Sequence, residues 1–227
     1  EDSRNFHEQF KEPSLVIYRS IEDEAKSQIC IKQNVDVKIP PEVVRTTSIT
    51  DHSKSPYAAN QKPPSLPGHG DLVAFDAEFV AVEEEESTLT LTGSRVTTRE
   101  TRHAIARVSV IDGRPATAGN VIFDDHVQPT EPVTDYLTRF SGILPQDLDP
   151  KLSRHHLITA RSAYLKLRLL IERGCIFVGH GLQQDFWTAN LTVPSYQIID
   201  TLHIYHKPAQ RYVSLRFLTN FVLKRDM

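Results

Sequence analysis

The chain has 227 residues, 39% of them hydrophobic and 24% charged, with a formal net charge of −3. That length suits one large domain, or one domain with a fragment attached, and the composition is that of a chain with a core. No run approaches the roughly 18 apolar residues that span a bilayer, so no membrane association is expected, and the acidic excess argues against gripping nucleic acid by bulk positive charge.

The start, Glu1-Asp2-Ser3-Arg4-Asn5, is polar and carries no secretory pattern. Two short strand candidates, 14–18 and 29–31, follow; they are too few to build a core alone. Over 40–70, Pro40, Pro41, Pro56, Pro63, Pro64 and Pro67 fall among Ser, Thr and Asn. This stretch reads as a linker or as an extended arm lying on the next domain. Dense periodic sequence begins at Asp71. Strands are predicted over 72–82, 104–112 and 119–127, with a long polar loop carrying Arg95, Arg99 and Arg102 between the first two. Helices are predicted over 133–140 and 159–173, the second placing Ala163, Leu167 and Leu170 on one face, with Gly174 as its cap. A buried strand over 175–178, a helix from about Leu182, a strand ending at Asp200 and an amphipathic helix over 214–224 complete the order. Consecutive strands joined by turns predict an antiparallel meander, and the later alternation predicts parallel strands with crossover helices. The fold class is therefore α/β, a mixed sheet with helices on its faces. Cys30 and Cys175 form neither a disulfide framework nor a zinc site, and Cys175 reads as a buried thiol. An intracellular, reducing compartment is the expectation.

The chemistry concentrates in two places. In Leu72-Val73-Ala74-Phe75-Asp76-Ala77-Glu78-Phe79-Val80, strand alternation puts Asp76 and Glu78 on one face and Phe75, Ala77 and Phe79 on the other. Two like charges on one face are unfavourable without a cation, and hard divalent ions prefer carboxylate oxygens. The bland reading is two solvated acids on an edge strand. In Val178-Gly179-His180-Gly181-Leu182-Gln183-Gln184-Asp185-Phe186, a buried strand turns through two glycines into a helix with Asp185 near its start. Alone, Asp185 reads equally well as a partner of the helix dipole. Together, three carboxylates suit a magnesium or manganese site. Two such ions can activate water and stabilise the leaving oxygen of a phosphodiester.

Phe75-Asp76-Ala77-Glu78-Phe79, followed by Gly179-His180-Gly181 and Asp185-Phe186, resembles the first two motifs of the DEDD 3′→5′ exonucleases, which have a ribonuclease-H-like fold. Asp135–Ile143, Gly174–Phe186, Ile199-Asp200-Thr201 and Ser214–Leu218 narrow this to the family of catalytic subunits of poly(A)-nuclease deadenylation complexes. The resemblance covers about 70–227. More loosely, the first residues resemble the tail of the inactive ubiquitin-hydrolase-like domain that precedes the nuclease in that family. The resemblance implies this division: 1–39 that tail, 40–70 the proline-rich linker, 71–227 the exonuclease. It further implies an exoribonuclease that shortens mRNA poly(A) tails and releases AMP, using two divalent ions (Mg²⁺ or Mn²⁺). Asp76, Glu78 and Asp185 would be the catalytic metal ligands. Phe79 and Leu182 would flank the terminal nucleotide, although each also suits a core. A regulatory subunit, indirect recruitment through poly(A)-binding protein and a cytoplasmic location including P-bodies are implied as well. The family's third motif supplies a histidine base and a fourth aspartate. Neither occurs before Met227, so this polypeptide is expected to be nearly inactive by itself.

Other candidates have bland readings. His180 reads as part of the turn, Asp200 as a helix cap, and His155-His156 as a solvated basic turn. Arg95, Arg99 and Arg102 are either solvated or phosphate-steering. Two rivals stand beside the main reading: a DEDD nuclease for another RNA or for DNA, and a non-catalytic docking module that keeps the fold.

Overall fold

Alternation in the first long strand is what organises the molecule. In this computed structural model, which describes residues 39–45, 65–89, 94–206 and 208–226, β1 spans Leu72–Glu83 and buries Val73, Phe75 and Ala77 while Ala74 and Asp76 face outward. The strand candidates at 14–18 and 29–31, and most of 40–70, lie outside the described residues. All described residues belong to the unit Ile39–Met227.

The other strands are β2 (Glu86–Leu89), β3 (Arg95–Arg99), β4 (Arg102–Asp112), β5 (Val121–Gln128), β6 (Leu157–Thr159), β7 (Ile176–Gly179) and β8 (Ile198–Asp200). The helices are α1 (Thr138–Ser141), α2 (Ala160–Glu172), α3 (Leu182–Thr188), α4 (Thr201–Ile204) and α5 (Leu215–Leu223). Six strands form one sheet in the order β6-β5-β4-β1-β7-β8. The β1–β4 and β4–β5 pairs are antiparallel, and the β5–β6, β1–β7 and β7–β8 pairs are parallel. This is the predicted meander followed by crossovers.

Phe75, Val108, Val110 and Phe123 meet Ala163, Leu167 and Leu170 of α2 and Leu182 and Phe186 of α3 in the main core. Phe75 stacks on Phe186 at 5.5 Å and meets Phe177 edge-on at 5.9 Å, contacts that add specificity to the buried area. A smaller cluster on the other face joins Val80, Ala106, Ile143, Leu148 and Leu157. A register shift in β4 between the partners of Glu78 and Phe79 accommodates this change of cover.

Several expectations are corrected. The helix predicted over 133–140 is only Thr138–Ser141, because Asp135 bridges to Ala81 and the N–H groups of Thr134 and Asp135 are given to the Ala81 carbonyl. The cap of α2 is Arg173, and Gly174, at φ 76°, is the residue after it. The polar loop after β1 is instead the β2–β3 ribbon. There Arg95 pairs with Glu85 at 3.4 Å, Arg99 with Glu83 at 3.7 Å, and Arg102 with Glu83 and Glu131. These are exposed ion pairs on the ribbon and its neighbours. His155-His156 is no solvated turn: His156 is buried, with Nδ1 2.5 Å from Asp125 Oδ1, and only His155 is exposed.

Both described ends of the proline-rich stretch pack against the rest of the unit. Val44, in a 3₁₀ turn at Pro41–Arg45, is buried in the main core. Arg173 donates to the carbonyl of Pro67 at 2.6 Å, and Arg114 to that of Ser65 at 2.6 Å.

Candidate active site

The strand register builds a polar row across one sheet face. Directly opposed residues share a face. Asp76 opposes Ser109, which opposes Asp124; Glu78 opposes Arg107, which opposes His126. Arg107 donates to both oxygens of Asp124, at 2.8 and 2.7 Å, and the Ser109 hydroxyl donates to Asp124 at 2.8 Å. The cation between the acids is thus already committed to Asp124.

Asp185 arrives from α3. β7 pairs with β1 only as far as Ala74, so the Ala77 N–H needs another acceptor. Asp185 Oδ1 accepts that N–H at 3.0 Å, across 108 residues of sequence. The contact places Asp185 against the backbone between Asp76 and Glu78, bringing together the three acids singled out from the sequence.

The glycines make this approach possible. A Cβ on Gly179 would sit 2.3 Å from Leu182 Cδ2 and 2.8 Å from the Phe75 carbonyl oxygen. Gly181, at φ 83°, turns the chain into α3 through the left-handed region. Because Gly181 has no side chain, Asp200 caps α3 from a distance. Its carboxylate accepts the N–H groups of Gly181, Leu182 and Leu202, each at 2.9 Å. Asp200 therefore serves two helix starts, in line with its reading as a cap. His180 Nδ1 lies 3.0 Å from Thr201 Oγ1, and that hydroxyl donates to the Gly179 carbonyl at 2.7 Å. These bonds give His180 the turn-holding role expected of it.

The electrostatics show an uncompensated acid cluster. Glu78 is held up at about 7, first by desolvation and then by Asp76, with Arg107 pulling the other way and Asp185 adding to the rise. Asp185 stands at about 6, raised first by desolvation and then by Asp76. Asp76 is raised too, chiefly by desolvation, although its residue surface remains open to water; the Ala77 N–H and Arg107 oppose the rise. Like charges that share a desolvated site favour protons or cations. The donor set, three carboxylates without a free counter-charge, fits hard divalent ions.

Phe79 is half-buried and packs against the main core, so part of its ring remains accessible. Leu182 is 1% exposed and fills the space under Gly179; its dominant role is packing, with little surface left for a base. Sequence reasoning missed Arg107, Ser109 and Asp124. The signal was present: both Arg107 and Ser109 interrupt the apolar run 104–111 with period two.

A family model described as RNase_T, exonuclease, matches residues 73–222. The catalytic subunit PAN2 of the PAN2-PAN3 deadenylation complex from Chaetomium thermophilum is 37% identical, covering 100% of this chain and 19% of that protein. The Homo sapiens protein of the same description is 38% identical, covering 96% and 18%. This chain thus spans about a fifth of the length of the curated relatives it matches. Among solved structures, the Saccharomyces cerevisiae Pan2 pseudoubiquitin hydrolase–RNA exonuclease module with AAUUAA RNA superposes with a TM-score of 0.69 at 37% identity, covering 82% of this chain and 29% of that one. The Neurospora crassa Pan2 catalytic unit gives 0.62 at 38%, covering 81% and 29%.

Proposed function

The chain belongs to the exonuclease family whose model covers residues 73–222, and from that premise we propose that it is the nuclease part of a metal-dependent 3′→5′ exoribonuclease that shortens mRNA poly(A) tails and releases AMP. The observation that carries the chemistry is Asp185 reaching the backbone between Asp76 and Glu78 at the Ala77 N–H, with Glu78 and Asp185 held up at about 7 and 6. The choice of poly(A) rests on the relatives, which are catalytic subunits of a deadenylation complex.

Asp76, Glu78 and Asp185 would hold two divalent ions, magnesium or manganese. Such ions supply activation of water and neutralisation of the leaving oxygen in phosphodiester hydrolysis. The chain's own residues prepare the site. Asp185 ties α3 to β1, and Asp124 holds Arg107, which offsets the acids only in part. Phe79 offers part of its ring to the terminal base, where stacking is worth about 1–3 kcal/mol per base. Leu182, 1% exposed, packs beneath Gly179. A regulatory subunit, indirect recruitment by poly(A)-binding protein and a cytoplasmic, P-body location belong to the same proposal.

The test uses this chain joined to a segment supplying the histidine and fourth aspartate expected of the family. It is offered 3′- and 5′-labelled poly(A), poly(U) and single-stranded DNA with Mn²⁺ or EDTA. Release of labelled AMP from the 3′ end, fastest on poly(A) and absent in EDTA, is expected. Equal rates on all three polymers would leave a nuclease but remove the poly(A) assignment. No cleavage by the folded protein would favour the docking-module rival.

A further inference from the structure

We propose that His126, His155 and Asp147 form a second metal site, for a transition ion of the zinc class, separate from the acid trio. One ligand atom from each residue lies within 4.8 Å of the other two, the only such His, Cys, Asp or Glu group among the described residues.

The register explains why these side chains meet. His126 continues the row Glu78–Arg107–His126 and opposes Leu157 of β6. His155 lies in the bend two residues before Leu157, and its ring reaches His126 on that face. Asp125 and His156 take the opposite face, where Asp125 also accepts from the buried Lys166 at 2.7 Å. The His126 and His155 rings stack with centroids 3.9 Å apart and 13° between planes. Asp147 comes from a 3₁₀ turn at Pro145–Asp147, where its Oδ2 accepts the Leu144 N–H at 2.8 Å. That bond leaves Oδ1 aimed at His155 Nε2, 3.2 Å away.

The donor types decide the class of ion. Two imidazoles and one carboxylate suit zinc, cobalt or nickel and leave an open position, whereas magnesium prefers oxygen alone. The nearby Arg107 charge is balanced by Asp124. Ligation at about 2.0–2.1 Å needs the rings to turn out of their stack; exposed His155 has the room to do so. An ion here would tie the loop following α1 to the sheet. β5 lies two strands from β1, about 10 Å at the usual strand spacing, so either site can be lost without the other.

The chain carrying Asp76→Asn and Asp185→Asn, with the acid site disabled, is titrated with Co²⁺ and then with Zn²⁺. One Co²⁺ equivalent with visible absorption bands is expected, displaced by Zn²⁺. Adding His155→Ala weakens Zn²⁺ binding at least tenfold with an unchanged circular dichroism spectrum, and Asp147→Asn weakens it similarly. In the otherwise native chain, His155→Ala leaves Mn²⁺ binding at the acid trio unchanged. Zn²⁺ binding that survives His155→Ala, the absence of any binding, or Mn²⁺ binding lost with His155 would each overturn the proposal.

Discussion

Replacing Asp185 with Asn should stabilise the metal-free chain, because the native charge is held there against its own preference. The rise of the Asp185 pKa from 3.8 to about 6, at about 1.4 kcal/mol per pH unit, sets roughly 3 kcal/mol against the charged form. Residual solvent access reduces this to about 2 kcal/mol. An acid whose folded pKa is raised takes up a proton on folding, so the folded state loses stability as pH rises from the unfolded value through the folded one. The cost is full above about pH 6 and gone below about 3.8. Asparagine keeps an oxygen for the Ala77 N–H, the one hydrogen bond that ties α3 to β1 there, and lifts one repulsion from Glu78. Urea denaturation in EDTA at pH 8 should give a midpoint about 1 M higher for Asp185→Asn, given a slope of about 1–3 kcal/mol/M. At pH 5 the gain should fall by about half. A variant less stable than the native chain at pH 8, with the native chain showing no loss between pH 5 and pH 8, would mean that the Asp185 charge does not strain the fold.

Lys166→Met should be severe. It leaves Asp125, fully buried, without its 2.7 Å cation partner, and breaking a buried pair costs about 3–5 kcal/mol; thermal melts should show it, and Asp125→Leu in the same chain should restore much of the loss. Gly179→Ala forces a Cβ to within 2.3 Å of Leu182, so the melt should fall by about 1–3 kcal/mol and Mn²⁺ affinity should fall as α3 shifts. Asp200→Asn removes a charged acceptor from three N–H groups; a loss of about 1–2 kcal/mol with unchanged Mn²⁺ stoichiometry is expected in calorimetry. Loss of metal binding as deep as that of Asp76→Ala would make Asp200 a ligand.

β1 was legible because one face is buried and the other carries acids, the condition under which period two shows in sequence. α2 was legible for the same reason at helical spacing. β2 and β3 bury nothing, so Glu86–Leu89 and Arg95–Arg99 carry no alternation and looked like loop. β6 is three residues long, and its identity comes from pairing with His126, Val127 and Gln128. His156 looked solvated because its partners, Asp125 and beyond it Lys166, are 31 and 41 residues from their contacts. Asp76 and Glu78 share a face by local geometry alone, whereas Asp185 needed the tertiary bond to Ala77 to join them.

The most direct test of the acid trio is a Mn²⁺ titration of the 227-residue chain followed by electron paramagnetic resonance, with Asp76→Asn and Asp185→Asn alongside. Loss of the free-ion signal at one or more equivalents is expected for the native chain, with binding at least tenfold weaker in each variant and folded spectra throughout. Native and variant chains that bind Mn²⁺ equally, or a native chain that binds none, would contradict the acid trio as a metal site.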